Sequence, residues 1–168
     1  MKTLLLLRHA KAEAAAARGD KARALTARGC RDAAIMGWYL QARGNRPDRI
    51  ITSRARRARQ TAAIVAAAAG FRGPLRAQRG LYYASPAALL RRVRRLPKKA
   101  ACVLLVGHNP DLEELAALLA VPGRPVPYLP TAGLIRLDFD VARWRDIRSG
   151  AGRCGDLQMP AALIAKAG

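Results

Sequence analysis

The chain has 168 residues, 51% of them hydrophobic, so we predict one globular domain over residues 1–168 rather than a disordered segment. No apolar run approaches the roughly 20 residues that cross a bilayer, and charge follows the N-terminal leucines at once, so neither a membrane span nor a signal peptide is expected. An odd number of widely spaced cysteines indicates free thiols in the cytoplasm; they are Cys30, Cys102 and Cys154.

The net charge is +20, from 31 basic residues of which 25 are arginine. Such a surface attracts anions and binds nucleic acid non-specifically at low salt. However, arginine is spread along the whole chain, without the interleaved aromatic residues of single-strand binders. We therefore attribute the arginine content first to a GC-rich genome, and keep a basic nucleic-acid-binding module as the less favoured function.

The first element is the stretch Thr-Leu-Leu-Leu-Leu-Arg-His-Ala-Lys at residues 3–11. Four consecutive leucines between polar residues predict a fully buried strand of a parallel sheet. Arg8 and His9 follow this strand directly. Open α/β sheets bind their ligands at the carboxyl ends of strands, so these two side chains are candidate site residues.

The following segments alternate between helical and extended patterns. Residues 12–21 are alanine-rich but contain Gly and Asp, which predicts a loop over the site. Thr26 is a typical N-cap for a helix over residues 27–40. A short strand at residues 49–52 then leads into an alanine-rich helix that ends near Ala69.

The second half begins with a possible short strand at residues 75–77. Ser85 and Pro86 are typical of an N-cap and the first helical residue, so another helix is predicted there. Residues 101–106 repeat the pattern of a buried strand, and a helix over residues 110–119 follows it.

The C-terminal third is rich in turn residues. Residues 122–130 contain four prolines and predict a loop. Two late strands, at residues 134–139 and 143–147, are expected to form a hairpin, the glycine-rich residues 149–155 a loop, and the tail an edge strand. Strands that alternate with helices predict an α/β fold with a mostly parallel sheet.

Both histidines of the chain, His9 and His108, come directly after a predicted buried strand. The arginine-rich stretch at residues 53–61 follows a third strand and begins a helix. Arginine side chains and helix N-termini both bind phosphate, so we expect the two histidines to face each other across one anion site. No carboxylate or cysteine lies at metal-ligand spacing, which argues against zinc.

These motifs resemble the histidine phosphatase superfamily, the phosphoglycerate-mutase-like proteins, and in particular its small SixA-like branch. Leu-Leu-Arg-His-Ala-Lys-Ala is similar to the Arg-His-Gly/Ala signature of that family. Three further motifs match in order: Arg23-Ala24-Leu25-Thr26 with Gly29, Arg-x-Arg-Gln-Thr at residues 57–61, and Leu-Leu-Val-Gly-His-Asn-Pro at residues 104–110. The resemblance implies a single-domain, three-layer α/β/α fold of the phosphoglycerate-mutase type.

The resemblance also implies residue roles. His9 would be the nucleophile that accepts the phosphoryl group, and water would then hydrolyse the phosphohistidine. Arg8, Arg57 and a protonated His108 would bind the phosphate oxygens, with Arg57 chosen because it stands four residues after Ser53. This chemistry needs charge neutralisation more than further reacting groups, so neither a metal nor another cofactor is expected.

Two positions depart from the family pattern. Arg54 stands where proline is usual, and Tyr83 stands where an acidic residue often occurs. Asp20 is interpreted first as a turn residue, so no good candidate for a general acid is found. A carboxyl group of Asp20 or Glu13 that reached the site from the loop would be the exception. The lack of a general acid favours a phosphohistidine phosphatase acting on a phosphorylated signalling or carrier protein, because such a leaving group needs less protonation. The alternative is a small-molecule phosphomonoesterase acting on a sugar phosphate, a nucleotide or polyphosphate. No membrane partner is expected.

Overall fold

The computed structural model describes residues 1–123 and 125–165. Within them, six strands form one sheet and five α-helices flank it. The strands are β1 (Lys2–Arg8), β2 (Arg49–Ser53), β3 (Leu75–Gln78), β4 (Cys102–Gly107), β5 (Leu134–Phe139) and β6 (Arg153–Cys154). The helices are α1 (Ala27–Ala42), α2 (Arg56–Ala68), α3 (Pro86–Arg94), α4 (Asp111–Leu119) and α5 (Pro160–Ala165).

The strand order in the sheet is β3-β2-β4-β1-β5-β6. Strands β3, β2, β4 and β1 run parallel, whereas β5 and β6 add to one side in antiparallel fashion. The predicted mostly parallel sheet is confirmed. Its two strands followed by histidine, β1 and β4, are direct neighbours, so their carboxyl ends lie side by side.

The four leucines of β1 explain the three layers. Leu5 and Leu7 point to one face and pack with residues of α1 and α2. Leu4 and Leu6 point to the other face and pack with α3 and α4. All four are 0% exposed, and each such leucine contributes about 1.5–3 kcal/mol on leaving water. The expected α/β/α arrangement is confirmed.

Local signals at the helix starts act as predicted. Thr26 Oγ1 accepts the Gly29 N–H at 3.1 Å and begins α1. Ser85 Oγ accepts the Ala88 N–H at 3.3 Å and begins α3. Helices α1 and α2 pack closely because residue 37 is glycine: a Cβ atom there would lie 2.5 Å from the Cβ of Ala68.

The predicted strand at residues 143–147 is wrong. Trp144–Asp146 form a 3₁₀ helix instead. The Arg143 Nε donates to Asp146 Oδ2 at 2.7 Å and closes the turn. The Trp144 ring is buried, and its Nε1 donates to the Ala100 carbonyl at 2.7 Å. The polar side chains of this segment are paired within the turn, and its tryptophan packs in the core. The segment is therefore stable without pairing to a strand.

The pairing of β5 also differs from the prediction. Besides β1, its antiparallel neighbour is β6, which lies inside the stretch predicted as a glycine-rich loop. The tail forms α5 from Pro160 onward rather than an edge strand, apart from a single bridge between Gln158 and Leu134. Residues 166–168 of that tail lie outside the described residues. Strand pairing depends on which edge is open in three dimensions, which local propensity does not reveal.

None of the helices in the described part of the chain is long and apolar enough to cross a membrane.

Candidate active site

Three strand ends meet at one edge of the sheet. His9 follows β1, His108 follows β4, and Ser53 is the last residue of β2. The ring centroids of the two histidines are 5.1 Å apart, with the ring planes inclined at 55°. The parallel order β2-β4-β1 therefore brings together residues that are about 50 and 100 positions apart in sequence.

The His9 ring is held in one orientation. Its Nδ1 lies 2.8 Å from the Ala10 carbonyl oxygen, which can only accept, so Nδ1 carries the proton of the neutral ring. Nε2 then carries the lone pair and accepts from the Arg57 Nε at 3.2 Å. Burial, followed by the positive charges of Arg57 and Arg8, lowers the pKa of His9 to about 4. At neutral pH the ring is uncharged, and its Nε2 is a candidate nucleophile.

The His108 ring is neutral as well. Its Nε2 lies 2.6 Å from Ser53 Oγ, while its Nδ1 is buried without a hydrogen-bond partner. Burial, with the nearby His9 and Arg57, lowers the pKa of His108 to about 3. The protonated His108 expected from the sequence concerns the phosphate-bound site. Without an anion the ring is neutral, and a bound anion would offset the surrounding positive charge and favour its protonation.

Arg57 lies in the first turn of α2, and its guanidinium is almost completely buried. Besides the bond to His9, Nη1 donates to the Asp20 carbonyl at 2.7 Å and Nη2 to Asp20 Oδ2 at 3.0 Å. The neighbouring arginines on this helix start are exposed; they are Arg54, Arg56 and Arg59. The motif position chosen from the sequence is thus the one arginine of this stretch that points into the site.

Arg8 lines the same pocket from the end of β1. Its Nη1 donates to the Leu129 carbonyl at 3.0 Å and to the Tyr128 hydroxyl at 3.2 Å, whereas its Nε is buried and unpaired. The loop before β5 therefore fixes the guanidinium and leaves part of its hydrogen-bonding capacity unused.

Asp20, for which the sequence favours a turn and leaves a site carboxylate as the second interpretation, lies in the site. It begins a short 3₁₀ helix in the loop after β1, and its Oδ2 accepts from Arg57 and from the hydroxyl of Tyr82. Its Oδ1 accepts from Arg23 Nη1 at 2.8 Å. The Tyr82 and Arg23 hydrogen bonds are the main causes that hold the pKa of Asp20 well below its usual range. The carboxylate is ionised and cannot serve as a general acid at neutral pH.

Tyr82 closes the opposite wall of the site. Its ring meets the His108 ring edge-on at a centroid distance of 4.8 Å. Burial and then the Asp20 carboxylate raise the pKa of the phenol to about 12, so it stays protonated. No local sequence signal distinguishes a packing role from a substrate contact for Tyr82.

Thr61 connects the His9 and Arg57 segments. Its hydroxyl donates to the Arg57 carbonyl at 2.7 Å and accepts the Ala10 N–H at 3.0 Å. Sequence reasoning quoted Thr61 and Ser53 as parts of a motif without giving either a role. Thr61 holds the segments that carry His9 and Arg57 together, and Ser53 forms a hydrogen bond with His108.

The resulting pocket encloses about 300 Å³ and is strongly positive. Asp20 supplies the one carboxylate among its lining residues. The cationic and histidine side chains of the lining are Arg8, His9, Lys11, Arg23, Arg57 and His108. Within residues 1–123 and 125–165, no group of three His, Cys, Asp or Glu side chains is placed to hold a metal ion.

A pocket of this charge at the carboxyl edge of a parallel sheet suits a phosphate group, and fold and pocket together define an α/β protein with an anion-binding site. Comparison with known proteins gives the family. The family model of the histidine phosphatase superfamily (branch 1) matches residues 4–82. An uncharacterised protein of Mycobacterium tuberculosis is 31% identical over 162 residues, which cover 92% of this chain and 99% of that protein. The chain belongs to the histidine phosphatase superfamily.

Two solved structures have the same fold over nearly their full length. Both were assigned as the phosphohistidine phosphatase SixA. The one from Nakamurella multipartitia has a TM-score of 0.80 at 29% identity and covers 95% of this chain and 96% of its own. The one from Agrobacterium tumefaciens has a TM-score of 0.76 at 31% identity, with 95% and 98% covered. The predicted resemblance to the SixA-like branch is confirmed.

Proposed function

We propose that this chain is a phosphohistidine phosphatase that works through a covalent phosphoryl intermediate on His9. One observation carries the proposal. The bond from Nδ1 to the Ala10 carbonyl leaves Nε2 as the lone-pair nitrogen, at the base of an arginine-lined pocket. A neutral imidazole nitrogen among cations is the group that can attack a phosphorus atom without prior loss of a proton.

The reaction has two displacements. In the first, the Nε2 lone pair of His9 attacks phosphorus and the P–N bond of the substrate breaks. Its electron pair stays on the substrate imidazole, which solvent has protonated at the other ring nitrogen and which leaves neutral. In the second, water attacks the phosphorus of the phosphohistidine, the electron pair of the N–P bond returns to Nε2, and the proton of the water leaves to solvent with inorganic phosphate. Each step moves one phosphoryl group, and the second step regenerates neutral His9.

Arg8, Arg57 and His108 bind the transferred group. The buried and unpaired Arg8 Nε and His108 Nδ1 are hydrogen-bonding positions that an oxyanion would satisfy. Arg57 Nε already contacts His9 Nε2, so its charge lies beside the nitrogen that is phosphorylated. A phosphate dianion would also raise the pKa of His108 and favour a second proton on that ring.

The leaving group decides the substrate class. An alkoxide from a sugar phosphate needs a general acid, but the Asp20 carboxylate is held ionised and the Tyr82 hydroxyl donates its hydrogen bond to Asp20. Tyr83 stands at the rim, 77% exposed, and brings no carboxyl group. Imidazole leaves readily from phosphohistidine once solvent protonates it near neutral pH. The pocket therefore favours N–P bonds and activated aryl phosphates over alkyl phosphates.

A phosphorylated protein is the favoured partner. Tyr83 lines the pocket and is exposed to solvent, so a side chain can enter past it. Phosphohistidine occurs on a protein side chain, which must reach His9 while its backbone stays outside. The two SixA structures described above are also named for phosphohistidine as their substrate. Small phosphate esters remain the alternative class and form the comparison in the test.

The test measures kcat/KM for a phosphohistidine peptide, p-nitrophenyl phosphate and a sugar phosphate with the same enzyme preparation. We expect the sugar phosphate to be slower than the other two by at least about 10²-fold, the lower end of what general acid catalysis contributes. Equal rates on all three would contradict the proposed substrate class. The variant Tyr83→Glu adds a carboxyl group at the rim, and a gain on the sugar phosphate alone would support the leaving-group argument.

The covalent step has its own control. His9→Ala should abolish turnover and phosphoryl labelling while circular dichroism stays unchanged, and the label on the wild type should be acid-labile and base-stable. Full activity in His9→Ala would refute the mechanism. A protein that binds DNA in a salt-dependent way and hydrolyses none of the three substrates would instead support the nucleic-acid alternative.

A further inference from the structure

A second basic pocket adjoins the catalytic one. It encloses about 340 Å³ between the loop before α3 and the exposed side of that helix, and we call it the arginine pocket. Tyr82 and Tyr83 line both pockets and form the wall between them. The cations of the arginine pocket are Arg91, Arg92 and Arg95.

These three arginines lack acidic partners. None of them takes part in an ion pair among residues 1–123 and 125–165. The chain contains no Asp or Glu between Asp48 and Asp111. Asp111 is buried, and its carboxylate accepts the N–H of Ala84 at 2.9 Å. It therefore pairs with the backbone beside the pocket and not with the three arginines. Like charges spaced this closely on one helix repel each other until an anion binds between them.

Of the three arginines, Arg92 is the half-buried one and contacts its neighbours. Its Nη1 donates to Gln78 Oε1 at 3.4 Å, and its guanidinium lies against residue 80. A Cβ atom at that position would lie 2.5 Å from Arg92 Nη2, so the close approach depends on Gly80, which also has a φ of +72°. A guanidinium held in place loses less conformational freedom when it binds an anion.

Tyr83 has an unusual backbone for its type. Its φ is 52°, in the left-handed region that bulky side chains rarely adopt, and its ring is 77% exposed. The ring meets Tyr82 edge-on at a centroid distance of 4.4 Å. Strain that leaves an aromatic ring exposed between two basic pockets is typical of a ligand-contacting position.

We propose that the arginine pocket binds an acidic side chain of the same protein substrate whose phosphohistidine enters the catalytic pocket. The proposal rests on the function given above and specifies its substrate. The substrate protein would carry an acidic residue close in space to its phosphohistidine, on the part of its surface that lies over Tyr83. Carboxylates match the planar fork of arginine, and an acidic surface complements the net charge of +20.

The test compares two phosphohistidine peptides that differ only in having glutamate or glutamine at the flanking positions. Wild-type enzyme should have the lower KM for the glutamate peptide. Arg91→Glu should reduce the ratio of kcat/KM for the glutamate peptide to that for the glutamine peptide by about three- to tenfold, through KM. The matched control is Arg31→Glu on α1, an exposed mid-helix position that lines neither pocket, which should leave the ratio as in wild type.

The two proposals fail separately. If no phosphohistidine peptide is hydrolysed, the unphosphorylated glutamate peptide is tested as an inhibitor of p-nitrophenyl phosphate hydrolysis. Inhibition that Arg91→Glu weakens and Arg31→Glu does not would support the arginine pocket while the proposed function fails. Equal kinetics for both peptides, or equal effects of both variants, would overturn the arginine pocket and leave the proposed function intact.

Discussion

The strongest physical prediction concerns the two histidines. In the unliganded protein both should remain neutral throughout the physiological pH range, with pKa values of about 4 for His9 and about 3 for His108. Burial is the first cause for both rings, and the guanidinium of Arg57 adds to it. An exposed histidine, in contrast, titrates near pH 6.5.

The size of the effect makes it measurable. At pH 6 an ordinary histidine is about 75% protonated, whereas a group with a pKa of 4 is about 1% protonated. The shift of His9 corresponds to roughly 3 kcal/mol against its charged form. Because the pKa is lower in the folded state than in the unfolded chain, the unfolded chain binds more protons below about pH 6.5. Stability is therefore lost as the pH falls from 6.5 toward 4.

The assay is a proton–carbon NMR titration of the imidazole Cε1–Hε1 groups. The chain has two histidines, so the single variants His9→Gln and His108→Gln assign both signals. Added phosphate or vanadate should raise both pKa values, because an anion in the pocket offsets the charge of Arg8 and Arg57. A titration midpoint near pH 6.5 for either ring without anion would refute the burial argument. Midpoints that do not change when the anion is added would refute the placement of the anion between the two rings.

Three further predictions test other parts of the structure. Ser53→Ala should lower kcat/KM on p-nitrophenyl phosphate by about tenfold and alter the titration of His108, because it removes the 2.6 Å hydrogen bond to that ring. Asp20→Asn should lower the inhibition constant of phosphate by about three- to tenfold in a competition assay, because Arg57 then no longer faces a competing carboxylate; weaker phosphate binding would contradict this. Gly37→Ala should reduce the free energy of unfolding in urea by about 1–3 kcal/mol while leaving KM unchanged, because the new methyl group meets α2 at 2.5 Å.

Local sequence signals determined much of this protein. The run of four leucines is buried on both sides of β1, and apolar runs of this length between polar residues are typical of such strands. Thr26 and Ser85 cap their helices as their types predict, since a side-chain oxygen at an N-cap satisfies a free backbone N–H. The positions of both histidines at strand ends also follow from the chain alone. A parallel sheet then places those ends at a common edge.

The tertiary structure decided what depends on contacts between distant segments. Strand β6 pairs with the side of β5 that faces away from β1, although residues 149–155 have the composition of a loop. Asp20 enters the site because the loop after β1 folds onto Arg57 and Tyr82, which stand 37 and 62 positions away. The charge state of His108 depends on burial and on neighbouring cations, neither of which a residue type or a spacing encodes. Secondary structure arises from short-range patterns, whereas desolvation and hydrogen-bond partners are properties of the packed molecule.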